Sequence, residues 1–292
     1  MISFFWTLNY QDGKKFWNPD SYIGLLNFYK LKKDNYMKTV ILCGGLGTRL
    51  AEETQIKPKP MVEIGGKPIL WHIMKIYEKH NVKDFFLALG YKGEYIKDYF
   101  LNYHAMQSNL TIDLKNGSFE YDNSTPEDWK VSLIDTGAQT MTGGRLLRLK
   151  PFLAGGGTFM LTYGDGVSDV NITELLAYHR SHGKLATVTA VRPPVRFGEL
   201  LIEEGKVKQF QEKPQAGVGW VNGGYFIFEP EIFDLIEGDA TMLEREPLEQ
   251  LAQRGELMSF LHDGFWQCMD TIRDRDFLQS IWESGNAPWL KK

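Results

Sequence analysis

The chain is poor in cysteine and has no long hydrophobic run, and both absences restrict its class. Its 292 residues include two cysteines, Cys43 and Cys268, which lie far apart and lack the spacing of a metal-binding motif. This usage is typical of a reduced, cytoplasmic protein in which each cysteine is a small buried apolar residue. No apolar run approaches the roughly 18 residues of a membrane-spanning helix, so we expect no membrane partner.

Strong charge of one sign is also lacking. With 33 basic and 37 acidic residues, the formal net charge is -4, which gives no reason to expect nucleic acid or an anionic membrane as the main partner. The hydrophobic fraction of 43% and the charged fraction of 24% are those of a globular protein with a core of ordinary size. Any anion-binding site is therefore local.

Residues 1–36 are rich in aromatic side chains but lack a regular hydrophobic period. No basic residue precedes the apolar start at Ile2, so the segment does not read as a signal peptide. Met37 stands directly before the first strand-like apolar run. We expect residues 1–36 to be an extension that is dispensable for chemistry, and residues 37–292 to form the functional domain. The alternative is an aromatic arm that docks on a partner.

From Met37 onward, strand-like apolar runs alternate with amphipathic stretches, which predicts a sheet with helices on both faces. Predicted strands cover 39–43, 84–89, 158–163, 185–191 and 224–228, and predicted helices cover 69–80, 91–103, 173–182 and 271–283. Two hairpins are expected, one over 110–121 that turns at Asn116-Gly117 and one that turns at Glu204-Gly205. The pattern predicts an α/β, Rossmann-like nucleotide-binding domain with a mixed, mostly parallel central sheet.

A glycine-rich loop follows the first predicted strand and is the most informative motif. It runs Leu42-Cys43-Gly44-Gly45-Leu46-Gly47-Thr48-Arg49-Leu50. A dinucleotide fingerprint would need a third glycine where Leu50 stands, and a Walker loop would need Gly-Lys-Ser/Thr in place of Gly47-Thr48-Arg49. The glycines let backbone amides approach an anion, and Arg49 and Lys59 add positive charge, so we predict a triphosphate site. The alternative is an ordinary strand-to-helix turn.

Two aspartates lie where a metal ligand is expected. Asp165 follows an apolar run and is flanked by Gly164 and Gly166, which places it at a strand end, where ligands of open α/β sheets bind. Asp270 precedes a predicted helix. Mg²⁺ is held in such sites by one or two carboxylates together with substrate phosphates. The alternatives are a turn residue for Asp165 and a helix N-cap for Asp270.

A second basic motif, Gln211-Glu212-Lys213-Pro214, ends another strand-like segment. Lys213 is suited to hold the phosphate of a second substrate, and Glu212 to accept hydrogen bonds from sugar hydroxyls. Asn222 could add an amide, and Gly198 a close backbone approach. The alternative is a surface charge pair. His72 lies on an apolar helix face and is predicted to be a hydrogen-bonded packing residue.

On these motifs, the chain from Met37 almost to its end resembles the sugar-phosphate nucleotidylyltransferases. The matching blocks are Gly44–Arg49, Lys57–Val62, Gly164–Gly166, Glu212–Pro214 and Met269–Thr271. The resemblance implies the nucleotide-diphospho-sugar transferase fold for 37–292 and magnesium at Asp165 and Asp270. It implies catalytic roles for Arg49, Lys59 and Lys213, and sugar-phosphate contacts from Gly198, Glu212, Lys213 and Asn222. The implied nucleotide-binding residues are Leu42, Gly44, Gly45, Leu46, Gly47, Thr48, Arg49, Lys59, Thr140, Arg145 and Gly164.

The resemblance also implies a reaction and its setting. CTP and glucose 1-phosphate would give CDP-glucose and pyrophosphate, for deoxysugar and O-antigen synthesis, in a homo-oligomer. A sugar phosphate is already largely ionised at neutral pH, so the displacement needs no general base. The alternatives are the same transfer from dTTP or UTP and a noncatalytic nucleotide-sugar sensor. A dehydrogenase is disfavoured because the dinucleotide fingerprint is broken.

Overall fold

The computed structural model describes residues 10–11, 14–15, 37–45, 47, 50–54, 56–122, 127–153, 155–193, 199–203, 206–211 and 219–291. Its contacts divide the chain into two units, Met1–Tyr36 and Met37–Lys292. In the first unit, strands β1 (Tyr10–Gln11) and β2 (Lys14–Lys15) pair antiparallel. The elements described next belong to the second unit.

A seven-stranded mixed sheet forms the centre of the second unit. Its strands are β3 (Lys38–Cys43), β6 (Asp84–Leu89), β9 (Lys130–Asp135), β10 (Phe159–Tyr163), β12 (Ala186–Val191), β15 (Val221–Phe228) and β16 (Leu257–His262). The order is β16-β12-β15-β10-β3-β6-β9. Six strands run in one direction, and β15 runs against its neighbours β10 and β12. The prediction of a mixed, mostly parallel sheet is confirmed.

Short strand pairs accompany the main sheet. They are β4 (Glu63–Ile64) with β5 (Lys67–Pro68), β7 (Asn109–Asp113) with β8 (Ser118–Asp122), β11 (Gly166–Ser168) with β17 (Trp266–Cys268), and β13 (Glu199–Glu203) with β14 (Lys206–Gln211). All four pairs are antiparallel. Both predicted hairpins are confirmed as strand pairs, although the turn residues Glu204 and Gly205 lie outside the described residues.

Helices cover both faces of the sheet. They are α1 (Ala51–Thr54), α2 (Ile69–Glu78), α3 (Gly93–Leu101), α4 (Tyr103–Gln107), α5 (Thr142–Arg148), α6 (Lys150–Leu153), α7 (Ile172–His182), α8 (Glu246–Gln253) and α9 (Ile272–Glu283). Within the described residues, three 3-10 turns span Lys59–Met61, Pro230–Leu235 and Pro288–Leu290. None of these helices is both long and apolar enough to cross a membrane.

Strand alternation divides the core into two layers, one on each side of the sheet. In β3, Ile41 and Cys43 enter one cluster with the buried face of α2, whereas Val40 and Leu42 enter the other with α5 and α8. Successive side chains of a strand point to opposite faces, so a strand covered on both sides is apolar throughout. This burial is the reason that the run Thr39–Cys43 was recognisable in the sequence.

Some predicted boundaries are wrong, and some elements were not predicted. The helix expected over 91–103 is two helices, α3 and α4, which meet at Asn102. The strand expected from 224 begins at Val221. Strands β9 and β16, at the two edges of the sheet, and helix α8 were not predicted.

His72 is a packing residue, as predicted. Its ring is fully buried, Nε2 lies 2.8 Å from the Ile64 carbonyl oxygen, and Trp289 donates its indole N–H to Nδ1 over 3.2 Å. Since Nδ1 accepts, Nε2 carries the proton of the neutral ring and donates to Ile64. Burial lowers the pKa of His72 to about 4.

Candidate active site

The glycine-rich loop leaves the carboxyl end of β3, in the middle of the sheet. Gly47 has φ +64°, a left-handed conformation that favours glycine. The Gly47 carbonyl accepts hydrogen bonds from the Leu50 N–H (2.9 Å) and from the Thr54 hydroxyl (3.0 Å). The turn is thus held against α1 while Gly45 stays exposed. Leu46, Thr48 and Arg49 lie outside the described residues, so their predicted phosphate contacts stay predictions.

Lys59 connects two carboxylates that are far apart in the chain. Its Nζ lies 2.7 Å from Asp165 Oδ2 and 2.6 Å from Asp270 Oδ1. The three side chains are 12%, 27% and 13% exposed, respectively. Burial alone would lower the pKa of Lys59, but Asp165 and Asp270 outweigh burial and raise it above its ordinary value. Lys59 is therefore a fixed cation at neutral pH.

A β-ladder holds the two carboxylates together. Gly166 of β11 pairs with Cys268 of β17, and the Met269 N–H donates to the Asp165 carbonyl over 2.8 Å. The structure thus brings together the strand ends that the sequence could only suggest were neighbours.

The N-cap of α9 is Thr271 rather than Asp270. The Thr271 hydroxyl accepts from the Asp274 N–H, and the Asp274 carboxylate accepts from the Thr271 N–H, which is a complete capping box. Asp270 directs its carboxylate to Lys59 instead. The N-cap interpretation of Asp270 is therefore wrong, because the following residue performs that role.

The donor chemistry here suits a divalent metal. Asp165, Cys268 and Asp270 each offer one ligand atom, and these atoms lie within 4.8 Å of one another. Two carboxylate oxygens are donors that Mg²⁺ prefers, and a cation, the Lys59 ammonium, already lies between them. The residues fit the predicted magnesium site.

Gly164 allows the two motifs to approach closely. Its N–H donates to the Leu42 carbonyl over 3.1 Å. A Cβ at this position would lie 2.9 Å from the Leu42 carbonyl oxygen and 3.0 Å from Pro60 Cγ. A side chain would therefore separate the glycine-rich loop from the strand end that carries Asp165.

Arg145 forms hydrogen bonds to the carboxyl ends of β3, β6 and β9. Its guanidinium donates to the carbonyls of Leu89 (3.0 Å), Gly137 (2.7 Å) and Gly44 (3.0 Å), and to the Thr136 hydroxyl (2.8 Å). Only 4% of the residue is exposed. Most of its donors are therefore used within the protein, and it reaches the cavity beside Gly44.

Hydrogen bonds link β15 to neighbouring side chains that line the same cavity as the glycine-rich loop. Asn222 donates its amide to the Tyr163 hydroxyl over 3.3 Å, and that hydroxyl donates to Glu244 Oε1 over 2.7 Å. Trp266 donates its indole N–H to the Gly223 carbonyl over 2.7 Å. Tyr163 and Trp266 were not predicted as site residues, because aromatic residues in strands usually belong to the core.

One cavity of about 550 Å³ gathers the predicted residues. The predicted residues that line it are Leu42, Gly44, Gly45, Gly47, Lys59, Thr140, Arg145, Gly164, Asp165, Asn222 and Asp270. Gly198, Glu212 and Lys213 lie outside the described residues, so their sugar-phosphate roles stay predictions. Cys268 also lines the cavity and is only partly buried, so the expectation of a buried apolar residue is wrong for this cysteine.

Solved structures share this fold. HddC from Yersinia pseudotuberculosis aligns with a TM-score of 0.63 and 24% identity, over 84% of this chain and 99% of its own. UDP-glucose pyrophosphorylase complexed with UDP-glucose aligns with a TM-score of 0.60 and 16% identity, over 85% and 99%. At these identities the likeness concerns the fold alone.

Curated sequence relatives show higher sequence identity than these solved structures. The glucose-1-phosphate cytidylyltransferase of Salmonella typhi is 54% identical over 253 residues, which cover 87% of this chain and 98% of the relative. The probable glucose-1-phosphate cytidylyltransferase of Bacillus subtilis is 46% identical over 254 residues, which cover 87% and 99%. The nucleotidyl transferase family model matches residues 38–271, which include both aspartates and Lys59. The chain therefore belongs to the nucleotidyl transferase family.

Proposed function

We propose that this protein transfers the cytidylyl group of CTP to α-D-glucose 1-phosphate and releases CDP-glucose and pyrophosphate. The observation that carries the proposal is one cavity in which the glycine-rich loop faces the Lys59, Asp165 and Asp270 cluster. The choice of nucleotide and sugar rests on the 54% identity to the S. typhi enzyme.

The chemistry is a displacement at the α-phosphorus of the triphosphate. The attacking oxygen belongs to a phosphomonoester whose second pKa is about 6, so it is already largely ionised at neutral pH. The barrier lies in bringing two anions together and in stabilising the departing pyrophosphate, which positioned cations can do. Lys59 is a partly buried ammonium in the cavity, and we assign it this role together with Arg49. We assign Lys213 to the attacking phosphate.

Magnesium would be held by Asp165 and Asp270 and, when bound, supplies neutralisation of the triphosphate oxygens. Lys59 bonds the same two carboxylates, so it offsets one of their two negative charges when nucleotide is absent. The backbone amides of Gly44, Gly45 and Gly47 would bind and orient the phosphates.

The base is the finer part of the proposal. Cytosine presents an amino donor where uracil and thymine present a carbonyl acceptor, so one or two hydrogen bonds decide the preference. We assign Thr140, which is 7% exposed, to the wall beside the nucleoside. Arg145 shapes the same wall through its bonds to Gly44 and Gly137.

The test is pyrophosphate release by the purified protein with magnesium and glucose 1-phosphate, supplying CTP, UTP, dTTP, ATP and GTP separately. We expect strong preference for CTP. Preference for another nucleotide would overturn the base assignment but keep the phosphate chemistry. Nucleotide binding without release from any of the five would instead favour a nucleotide-sugar sensor.

The biological setting follows from the product. We propose that CDP-glucose is supplied in the cytoplasm for deoxysugar synthesis in a surface polysaccharide such as O-antigen. We also propose a homo-oligomer. The hairpin of β7 and β8 supports this idea, because Leu110, Ile112, Phe119 and Tyr121 share one face and are 39 to 59% exposed. A monomeric mass in sedimentation equilibrium would overturn the oligomer.

A further inference from the structure

Cys268 occupies a position that a magnesium site does not require. In the ladder of β11 and β17 it pairs with Gly166, the neighbour of Asp165. It also lies two residues before Asp270, at the end of β17. The result is a thiol and two carboxylates whose ligand atoms all lie within 4.8 Å of one another.

The place between these groups already attracts a cation. Lys59 Nζ lies 2.7 Å and 2.6 Å from the two carboxylates. None of these three side chains is more than 27% exposed, so little water competes for the carboxylate oxygens. The Lys59 ammonium gains little from the Cys268 sulfur, because a thiol is a weak hydrogen-bond acceptor. A metal ion, in contrast, can bind the sulfur and both carboxylates.

The type of the third donor determines which metal gains from it. Mg²⁺ is a hard ion that prefers oxygen ligands, so Cys268 adds little to its affinity. Zn²⁺, Cd²⁺ and Co²⁺ accept thiolate together with carboxylate. A binding site with one sulfur and two oxygen ligands therefore favours thiophilic ions over Mg²⁺.

We propose that Asp165, Cys268 and Asp270 form a mixed oxygen–sulfur site for a thiophilic divalent cation, with Lys59 as the competing internal cation. The inference extends the magnesium site of the proposed function. When the ion binds, a metal–sulfur bond replaces the S–H bond and the proton leaves to solvent. The ammonium of Lys59 gives up its carboxylates. An ion bound in this way would occupy the place that the magnesium–triphosphate complex needs.

The test is titration of the full-length protein with Cd²⁺ alone, followed by the ultraviolet absorption of the cadmium–thiolate bond. We expect a band that saturates at one ion per chain and persists in a large excess of Mg²⁺. The chain has two cysteines, which makes the assignment direct. Cys268→Ser should abolish the band. Cys43→Ala is the matched control and should retain it, because Cys43, although it borders the same cavity, is fully buried and its thiol is not one of the three grouped ligand atoms.

Two further variants separate a shared site from a lone thiol. The double variant Asp165→Asn, Asp270→Asn should weaken Cd²⁺ binding by at least about 100-fold, because two anionic donors are lost. Lys59→Ala should strengthen it by about tenfold, because the competing ammonium is gone. Circular dichroism checks that each variant is folded.

Several outcomes would overturn the inference. They are no band in the unmodified protein, a band that survives Cys268→Ser, or binding that is unchanged in the double aspartate variant. These results are independent of turnover. A cadmium band without magnesium-dependent pyrophosphate release would reject the proposed function but support the oxygen–sulfur site. Pyrophosphate release without a cadmium band would support the proposed function but reject the oxygen–sulfur site.

Discussion

At the scale of single residues, Lys59 is the cation on which both carboxylates converge. We expect Lys59→Ala and Asp165→Ala each to lower turnover by about 10²–10³-fold, because each removes one group that stabilises or positions transition-state charge. The measurement is the steady-state rate of pyrophosphate release with saturating CTP and magnesium. Lys97→Ala is a matched control, since Lys97 is an exposed lysine of α3. A near-normal rate from either cavity variant would remove its assigned role.

His72 should make stability depend on pH. Its pKa is about 4 in the folded protein and 6.5 ordinarily, so below pH 6.5 the unfolded chain takes up a proton that the folded chain does not. The His72 imidazole therefore lowers the free energy of unfolding as pH falls towards 4, by about 2 kcal/mol between pH 7 and pH 5. Urea unfolding at both pH values measures this loss. His72→Gln should show a smaller loss, and an equal loss in both proteins would contradict the assignment.

The residue types of the site were predictable, but their partners were not. A strand-end aspartate between glycines marked Asp165, and position before a helix marked Asp270. Nothing in the sequence distinguishes Asp270 from Thr271 as the N-cap, because both residue types cap helices. The same is true of Arg145, whose bonds to Leu89, Gly137 and Gly44 join segments that meet only in the folded chain.

At the scale of elements, burial decided which strands could be read from the sequence. The strand β3 is covered on both faces and gives a continuous apolar run. The edge strands β9 and β16 are half-buried and mix polar with apolar residues. The start of α5 is equally obscure, because Gly143 and Gly144 are weak helix formers that more often read as a turn.

Close packing explains why positions 143 and 144 are glycines. A Cβ on Gly144 would lie 2.5 Å from the Asp239 carbonyl oxygen. The same oxygen accepts a hydrogen bond from the Met141 N–H over 2.8 Å, which holds the Asp239 segment in place. The contacted atoms are backbone, so they cannot swing away. We expect Gly144→Ala to lower the free energy of unfolding by about 1–3 kcal/mol, and to weaken nucleotide binding because α5 carries Arg145. Urea unfolding and CTP titration measure the two effects.

Gly155→Ala is the control for this prediction. Gly155 is exposed, and a Cβ there would meet no heavy atom within 4 Å. The control should unfold within about 0.5 kcal/mol of the unmodified protein. If Gly144→Ala behaved like the control, the close approach between α5 and Asp239 would not constrain the helix.

At the scale of the whole molecule, topology explains why motifs from distant parts of the sequence meet. Strands β3 and β10 are parallel neighbours near the middle of the sheet, so the glycine-rich loop and Asp165 leave the same edge. The rule for open α/β sheets was sufficient to predict this meeting. It could not predict the contribution of β17, since a three-residue strand has too little pattern to be recognised.

Residues 1–36 provide the last test at this scale. The described residues of the cavity all belong to the unit Met37–Lys292, and the family model begins at residue 38. We therefore predict that a variant starting at Met37 keeps pyrophosphate release within about twofold of the full chain, because no group assigned to the chemistry is removed. A variant that also lacks Lys38–Cys43 should fail to fold, since β3 lies between β10 and β6. If the shorter deletion kept its fold but lost activity or changed its oligomeric state, the aromatic segment would instead act as a docking arm, and the apolar residues Phe4, Phe5 and Trp6 would be the first to replace.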